Sequence, residues 1–328
     1  MSIFRSFIVN VTYAAASVAA FGAASAIAQT YPVKPIRLIA PFPPGGTTDI
    51  LARITAQKLG EAVGQQVIVD NRGGGGGTIG VEAAARSAPD GYTILIAHIG
   101  PLAMAPALYP KLGYDPVKDF APITLLATVP NGLVVHPSVP ARSVKDLIAL
   151  ARAKPNQVLY ASAGSGSIAH LAVVNLELLA RVSLHHVPYK GGAPSVRELI
   201  AGETSLTITG LPQLRPHVEA GRLRLLAIGE AKRLAVLPQV PTIAESGVPG
   251  YQVTQWQGIL APAGTPGSIV ARLNADIIKG MKAPEVRQRL AADGAELVGS
   301  APEQFAAHIK TEVAHWGPVI KASGAKAE

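Results

Sequence analysis

The sequence predicts an α/β protein with two lobes, each lobe a sheet with helices on both faces. Ten apolar runs of strand length recur along the 328 residues, and helical patterns lie between most of them. Such alternation is typical of parallel sheets covered by helices. Two long extended stretches interrupt it, and the chain is long enough for two lobes with separate cores.

The predicted strands are short segments rich in Val, Ile and Leu. In chain order they are IRLIA (36–40), QVIVD (66–70), YTILIA (92–97), ITLLA (123–127), GLVVH (132–136), QVLYAS (157–162), SLHHVPY (183–189), SLTIT (205–209), RLLAIG (224–229) and GILAPA (258–263). Apolar residues at helical spacing mark the expected buried faces of two helices. These residues are Ile168, Leu171, Val174, Leu178 and Val182 in one helix, and Phe305, Ile309, Val313 and Trp316 in the other.

Two extended stretches, 125–135 and 248–262, carry no helical pattern and predict crossings between the lobes. We expect one lobe over 29–129 and 253–328, and a second, inserted lobe over 130–252. A cleft would then lie between the lobes, and the crossings would act as hinges. The alternative is a single continuous α/β domain with long edge strands.

Residues 1–28 have the pattern of a secretory signal peptide. One early positive charge, Arg5, precedes apolar and small residues that end in Ala-Ile-Ala, which predicts cleavage after Ala28. The alternative, a membrane anchor, is disfavoured because Asn10, Thr12 and many alanines make a poor spanning helix. We therefore expect an exported protein that resides in the periplasm.

Composition excludes several kinds of site. The chain has no cysteine, which rules out a thiol nucleophile, a cysteine zinc site, a disulfide and a lipid-modified N-terminal cysteine. The formal net charge is +8, but Lys and Arg are scattered and aromatic residues make up only 5%. These features disfavour nucleic acid as a partner and favour a mildly positive field that attracts small anions.

The glycine run raises the question of a nucleotide site. GGGTIG at 75–80 fits the dinucleotide pattern G-x-G-x-x-G between a strand and a helix, but five consecutive glycines meet half of that pattern automatically. The pattern also requires an acidic residue about 20 positions later, and the strand there ends in His98. No phosphate-binding G-x-x-x-x-G-K-[ST] motif occurs, so we expect no nucleotide and no cofactor.

The segment SAGSGSIAHL (162–171) raises the question of a nucleophilic serine. It lacks the G-x-S-x-G turn of esterases, and neither Ser165 nor Ser167 has a His and Asp partner at a recognisable spacing. The histidines show no metal-ligand grouping, and the neighbours His185 and His186 point to opposite faces of a predicted strand. A serine hydrolase stays an alternative, and we expect no catalytic residue and no metal.

Two turns have the character of anion cradles. PPGGTTD (43–49) and SAGSGS (162–167) each precede a helix, where backbone N–H groups lack intrahelical partners and the helix dipole is positive. Glycine admits a ligand close to the backbone, and Ser and Thr add hydroxyl donors. Asp49 would stabilise the dipole or hold the loop shape. Ordinary helix capping is the alternative for each turn.

Several blocks together resemble the Bug receptors, which are the substrate-binding proteins of tripartite tricarboxylate transporters. The likeness runs from about Tyr31 to the C-terminus. The blocks are YPVKPIRLIAPFPPGGTTDILAR, VIVDNRGGGGGTIG, SAPDGYTILIA, LYPKLGYDPVKDFAPITLLA, SAGSGSIAHL, VPYKGGAPSVRELIAG, VPTIAESGVPGY and WQGILAPAGTP.

This resemblance implies a two-lobed periplasmic binding protein (a Venus flytrap) that holds a small carboxylate between its lobes. It implies no nucleic acid, transient contact with membrane permease subunits, and a monomer. The loop 98–104 and the region 209–211 would complete the cleft. Carried over by position, the ligand-binding residues are Pro43, Pro44, Gly45, Gly46, Thr47, Thr48, Asp49, His98, Gly100, Ser162, Gly164, Ser165, Gly166, Ser167, His170 and Thr209.

The sequence departs from that family at two blocks. Where similar proteins often have the polar SNGTHAIN, it reads HIGPLAMA (98–105), and where they often have DLMFDN, it reads SLTITG (205–210). Thus Pro101, Leu102 and Ala105 replace polar residues, and Ser205, Thr209 and Gly210 replace Asp, Asp and Asn. Without a carboxylate at Thr209, we expect no preference for amino acids and a carboxylate ligand with an apolar or aromatic body. A receptor that presents its ligand to a signalling partner is the alternative to transport.

Overall fold

A computed structural model describes residues 31–325, and the predicted signal peptide with its cleavage site lies outside the described residues. The chain from Lys34 onward forms one compact unit that contains two sheets. All ten predicted strands are present, and they are joined by a short strand at 296–297 that the sequence did not indicate. Within the described residues, no helix has both the length and the apolar character needed to cross a membrane.

The first sheet has six strands, and together with the helices packed on it forms the first lobe. These strands are β1 (Ile36–Ala40), β2 (Val67–Asn71), β3 (Thr93–His98), β4 (Phe120–Val129), β10 (Gln255–Pro262) and β11 (Glu296–Leu297). Their order is β11-β4-β10-β3-β1-β2. β1 is parallel to β2 and β3, whereas β10 is antiparallel to both β3 and β4.

The second sheet has five strands and, with its helices, forms the second lobe. These strands are β5 (Asn131–Val135), β6 (Leu159–Ser162), β7 (His185–Pro188), β8 (Leu206–Gly210) and β9 (Arg224–Ile228), in the order β7-β6-β8-β5-β9. β6 is parallel to β7 and β8, and β5 is antiparallel to β8 and β9. The expectation of parallel sheets was therefore wrong in part. β5 and β10 enter their sheets directly from the other lobe, without the crossover that parallel pairing needs.

Helices connect most of the strands and complete a two-lobed α/β fold. They are α1 (Thr47–Val63), α2 (Thr78–Ala85), α3 (Ala105–Leu108), α4 (Val144–Ala153), α5 (Ile168–Ala180), α6 (Gly192–Ile200), α7 (Leu211–Glu219), α8 (Gly267–Met281), α9 (Pro284–Ala292) and α10 (Pro302–Ser323). A 3₁₀ turn at Gly75–Gly77 precedes α2, and a π turn at Gly100–Met104 precedes α3.

The predicted helix faces are correct for α10 and partly wrong for α5. In α10, Phe305 is fully buried, and its ring packs where Gly258 of β10 has no side chain. In α5, Leu178 is 44% exposed, and the helix ends at Ala180, before Val182. Because α5 is apolar almost all round, its periodicity does not identify the buried face.

The two crossings between the lobes are joined by hydrogen bonds. Asn131 begins β5 immediately after the first crossing, and its Nδ2 donates to the carbonyl of Val253 in the second crossing at 2.8 Å. Gly229 N–H donates to the carbonyl of Asn131, and Val253 N–H donates to that of Gly229. The carboxylate of Glu230 accepts from Asn131 N–H at 3.1 Å and from the Thr254 hydroxyl. The lobes are thus linked by one hydrogen-bonded strip. The division of the chain at 129/130 and 252/253 stays a prediction.

Candidate functional site

A small cavity lies between the two sheets and is lined by both lobes. Its volume is about 30 Å³, which is room for one or two water molecules. The lining residues are Phe42, Gly46, Thr47, Thr48, His98 and Gln255 from the first lobe, and Ala163, Ser167, Ile168, Gly192, Thr209 and Gln213 from the second. A larger hollow of about 610 Å³ lies between α1 and β2, but only the first lobe lines it.

Four helices begin at this cavity. α1 starts at Thr47, α5 at Ile168 and α6 at Gly192, while α7 contributes Gln213 from its first turn. The glycine N-caps of α1, α6 and α7 make no side-chain capping hydrogen bond. Helix starts carry free N–H groups and a partial positive charge. No Lys or Arg is among the lining residues, so any positive potential here comes from neutral backbone.

Asp49 holds the first loop in shape. Its buried carboxylate accepts from Gly45 N–H at 2.9 Å, from Arg53 Nε at 3.0 Å and from Asn71 Nδ2 at 2.9 Å. Burial raises the pKa of Asp49, but the hydrogen bonds from Arg53, Gly45 and Asn71 outweigh it and keep the pKa below its ordinary value. Gly45 has φ +92°, a backbone conformation that favours glycine. The loop is therefore fixed by an ionised side chain that lies behind it.

The second loop is fixed from behind by a serine and a histidine. Ser162 Oγ accepts from Gly164 N–H at 3.1 Å, and Gly166 N–H donates to His170 Nδ1, also at 3.1 Å. Ser167 caps α5 and lines the cavity. Ser162 and His170 do not line it, although both were predicted ligand-binding residues. They position the loop backbone instead of facing the cavity.

Two neutral histidines stack behind this loop. His170 and His186 lie 4.2 Å apart between ring centroids, nearly parallel. Burial lowers their pKa values to about 3 and about 4. His186 Nε2 is 2.6 Å from Ser162 Oγ, but Ser162 is fully buried and does not face the cavity, so this pair is no accessible nucleophile. Within residues 31–325, no cluster of three or more His, Asp or Glu could hold a metal ion.

His98 is a neutral donor at the cavity wall. Its Nδ1 accepts from Gly100 N–H at 3.0 Å, which leaves the proton on Nε2. The ring stacks on Phe42 with 4.8 Å between centroids. Burial lowers the pKa of His98 to about 3. The side chain therefore offers a hydrogen bond without a charge.

The five-glycine run lies where the lobes touch. Gly76 has φ +62° and packs against the backbone of Ser165, where a Cβ atom would overlap the Ser165 carbonyl oxygen. Tyr109 of the first lobe donates its hydroxyl hydrogen bond to Ser165 O at 2.8 Å, and Gly75 O lies 3.3 Å from the same hydroxyl. Pro43 packs in the same way against Gly191. The glycine run thus allows the backbones of the two lobes to lie in close contact.

Sequence reasoning identified half of the lining. The predicted residues that line the cavity are Gly46, Thr47, Thr48, His98, Ser167 and Thr209; the lining residues that it missed are Phe42, Ala163, Ile168, Gly192, Gln213 and Gln255. The exposed Pro44 and Gly45 stand outside the cavity. Pro101, Leu102 and Ala105 do not line it either, because they lie in and after the π turn and are buried in the first lobe.

The chain is similar to proteins of one known family along most of its length. Residues 51–325 match the family described as tripartite tricarboxylate transporter family receptor. The chain is 39% identical over 305 residues to protein BugT of Bordetella pertussis, which covers 93% of this chain and 94% of BugT.

Two solved structures have the same fold over their whole length. Rpa4515 of R. palustris, solved with adipate, superposes with a TM-score of 0.88 at 40% identity and covers 91% of this chain and 100% of its own. The periplasmic binding protein BugD gives a TM-score of 0.87 at 34% identity, with the same coverage of each chain.

Proposed function

Since the chain belongs to the tripartite tricarboxylate transporter receptor family, whose members are periplasmic solute-binding proteins and not enzymes, we propose that it captures a small organic carboxylate between its lobes. We further propose that it delivers this ligand to a tripartite tricarboxylate-type membrane transporter. The mature protein would begin after Ala28 and act in the periplasm as a monomer.

The convergence of four helix starts on one cavity carries this proposal. A carboxylate has only hydrogen-bond acceptors, and the first turns of α1, α5 and α6 carry N–H groups and a positive dipole. In α7 only the dipole contributes, because Leu211 N–H donates to Pro130 O and Pro212 has no N–H. Thr48 and neutral His98 add side-chain donors around the same space. Since no Lys or Arg is among the lining residues, the anion would be held by many weak donors. The similar protein Rpa4515 was solved with adipate.

The residues that we propose for ligand binding form three groups. Gly46, Thr47, Thr48, His98, Ser167 and Thr209 would face the ligand, as would Gly192. Asp49, Ser162 and His170 would hold the loops in a ligand-ready shape. Pro43, Gly45, Gly100, Gly164, Ser165 and Gly166 would let the backbones of the two lobes approach.

Capture requires the lobes to separate and close again, because nearly all of the residues that line the cavity are buried between the lobes. The hydrogen-bonded strip around Asn131 and Val253 is the connection about which they would turn. Closure brings Tyr109 and the glycine run of the first lobe against Ser165 of the second. We propose that the permease recognises the surface formed by this closed arrangement.

Calorimetry and thermal shift on residues 29–328 test the capture step. The probes are adipate and hexanoate, each paired with its uncharged primary amide. We expect at least one of the acids to bind and to raise the melting temperature, and the amides to do neither. If an amide binds as tightly as its acid, the anion cradle is misplaced. Uptake of the bound acid by cells that hold the transporter, with and without this chain, tests delivery.

A further inference from the structure

Three buried polar atoms that line the cavity have no hydrogen-bond partner. They are Thr47 Oγ1, Gln213 Oε1 and Gln255 Oε1. The three residues are 4%, 8% and 2% exposed, respectively. A buried polar atom without a partner lowers stability, and such atoms in native proteins usually mark a ligand, an ion or a water. These three therefore point to a group that the ligand supplies.

The three atoms belong to one neutral cluster at the end of β8. A Cβ atom at Gly210 would collide with Thr47 Oγ1 and come within 3.1 Å of Gln255 Oε1, so both atoms approach the same point. Gln213 Nε2 donates to Thr209 Oγ1 at 2.6 Å, next to Gly210. We call Thr47, Thr209, Gln213 and Gln255 the amide cluster. Thr47 and Gln255 belong to the first lobe, and the other two to the second.

The amide cluster contains no charged group. None of the cavity-lining residues is Asp, Glu, Lys or Arg. The nearest acid in the first loop, Asp49, is already bound to Arg53, Gly45 and Asn71. A ligand ammonium would thus find no carboxylate partner. A second carboxylate would meet acceptor oxygens and have no cation to offset its burial.

A hydroxyl or a carboxamide matches this cluster. Each donates and accepts hydrogen bonds without carrying charge, as do the side-chain amides and hydroxyls that face it. Phe42, Ala163 and Ile168 add apolar surface to the same cavity wall. A ligand with an apolar body and a neutral polar group fits this mixed lining.

Building on the proposed function, we infer that the amide cluster binds a neutral hydrogen-bonding group of the ligand that is separate from its carboxylate. The ligand class is then a monocarboxylic acid with an apolar body that also carries a hydroxyl or carboxamide. Dicarboxylates and amino acids would be disfavoured. Gly210 makes room for the cluster, because any side chain there would displace Thr47.

Two matched sets of acids test this inference by calorimetry on residues 29–328. One set is 4-hydroxybutyrate, butyrate, succinate and 4-aminobutyrate; the other is 6-hydroxyhexanoate, hexanoate, adipate and 6-aminohexanoate. In the set of the better-fitting length, we expect the hydroxy acid to bind about tenfold more tightly than its three counterparts. The plain acid leaves buried acceptors unpaired, the second carboxylate meets acceptor oxygens, and the ammonium is buried without an opposite charge.

The outcomes separate the inference from the function on which it rests. If the dicarboxylate, the amino acid or the plain acid binds as tightly as its hydroxy counterpart, the inference is overturned and carboxylate capture stands. If none of the eight acids binds, both are contradicted.

Substitutions test whether the amide cluster causes the preference for the hydroxy acid. We expect Gln255→Leu and Gln213→Leu to bring the affinity ratio of hydroxy acid to plain acid close to one. Thr204→Val is the control, because Thr204 Oγ1 is also buried and unpartnered but the residue does not line the cavity. Gln213→Glu should shift the preference toward the amino acid, a gain that misfolding cannot produce. An unchanged ratio in all three cluster variants would overturn the assignment.

Discussion

Asn131 Nδ2 lies 2.8 Å from the carbonyl oxygen of Val253, and this hydrogen bond joins the two chain crossings between the lobes. Asn131 is fully buried and also receives Gly229 N–H at its own carbonyl. The connection between lobes is thus a pair of extended segments held side by side, not two independent linkers. Movement of the lobes must bend this strip as a unit, which makes its polar groups sensitive points.

Glu230 makes the strip sensitive to pH. Burial, with a smaller contribution from the nearby Glu296, raises the pKa of Glu230 to about 7, despite hydrogen bonds from Thr254 and Asn131 N–H. Tyr251 also faces this carboxyl group. The folded protein therefore keeps a proton that the unfolded chain releases above the ordinary pKa of 4.5. The stabilising contribution of Glu230 is full below that value and is lost as pH rises toward about 7.

We predict that Glu230→Gln removes this loss of folding stability at rising pH. Urea unfolding between pH 4 and 8 should show the variant gaining stability relative to the native protein as pH rises, by at most about 3 kcal/mol. Buried His98, His170 and His186 have lowered pKa values, so their contribution is lost as pH falls below 6.5. That opposite trend is common to both proteins and cancels in the comparison. If the difference in unfolding free energy between the variant and the native protein does not vary with pH, the raised pKa of Glu230 is contradicted.

Asp49 gives a prediction about the first loop. Asp49→Asn weakens the acceptor for Gly45 N–H and removes the charge that pairs with Arg53. We expect a loss of about tenfold in affinity for the best-binding acid, because the loop backbone is no longer held in place. Arg53→Gln is the control; its side chain is 57% exposed, and surface ion pairs contribute little. Equal affinity in Asp49→Asn and the native protein would show that the loop holds its shape without the carboxylate.

How much of the site could be predicted depends on how local its determinants are. Gly46, Thr47 and Ser167 were identified because a helix start is encoded by neighbouring residues. Gln255 and Gln213 were missed because β10 and α7 meet only through the tertiary arrangement, and an isolated glutamine carries no motif. Sequence analysis rejected a nucleotide site at the run 73–77 but gave the run no other role, because its contact with Ser165 joins residues far apart in sequence. The strands were predictable, and the antiparallel direction of β5 and β10 was not.

Tyr109 gives a prediction about the closed lobes. Tyr109→Phe removes the hydroxyl that donates to Ser165 O across the lobes. We expect ligand dissociation to become about three- to tenfold faster, as for the loss of one neutral hydrogen bond. Tyr114→Phe is a matched control, since its hydroxyl donates to Pro101 O within the first lobe. Stopped-flow measurements that show the same acceleration in both variants would argue against a contact specific to closure.

Gly76 offers the sharpest test of lobe closure. Gly76→Ala places a Cβ where the carbonyl oxygen of Ser165 lies, and the backbone there has φ +62°. Gly64→Ala is the control, because φ is +69° and no atom lies within 4 Å of the added Cβ. Both variants bear the strain of a non-glycine residue in this conformation, about 1 kcal/mol. Only the first also obstructs the approach of the second lobe.

We therefore expect the two variants to lose similar stability but to differ in binding and shape. Gly76→Ala should bind the best acid at least tenfold more weakly than Gly64→Ala, as closure is needed to bring both loops to the ligand. Small-angle scattering with saturating acid should give a larger radius of gyration for Gly76→Ala. Equal affinities and equal radii would mean that the lobes grip the ligand without the contact between Gly76 and Ser165.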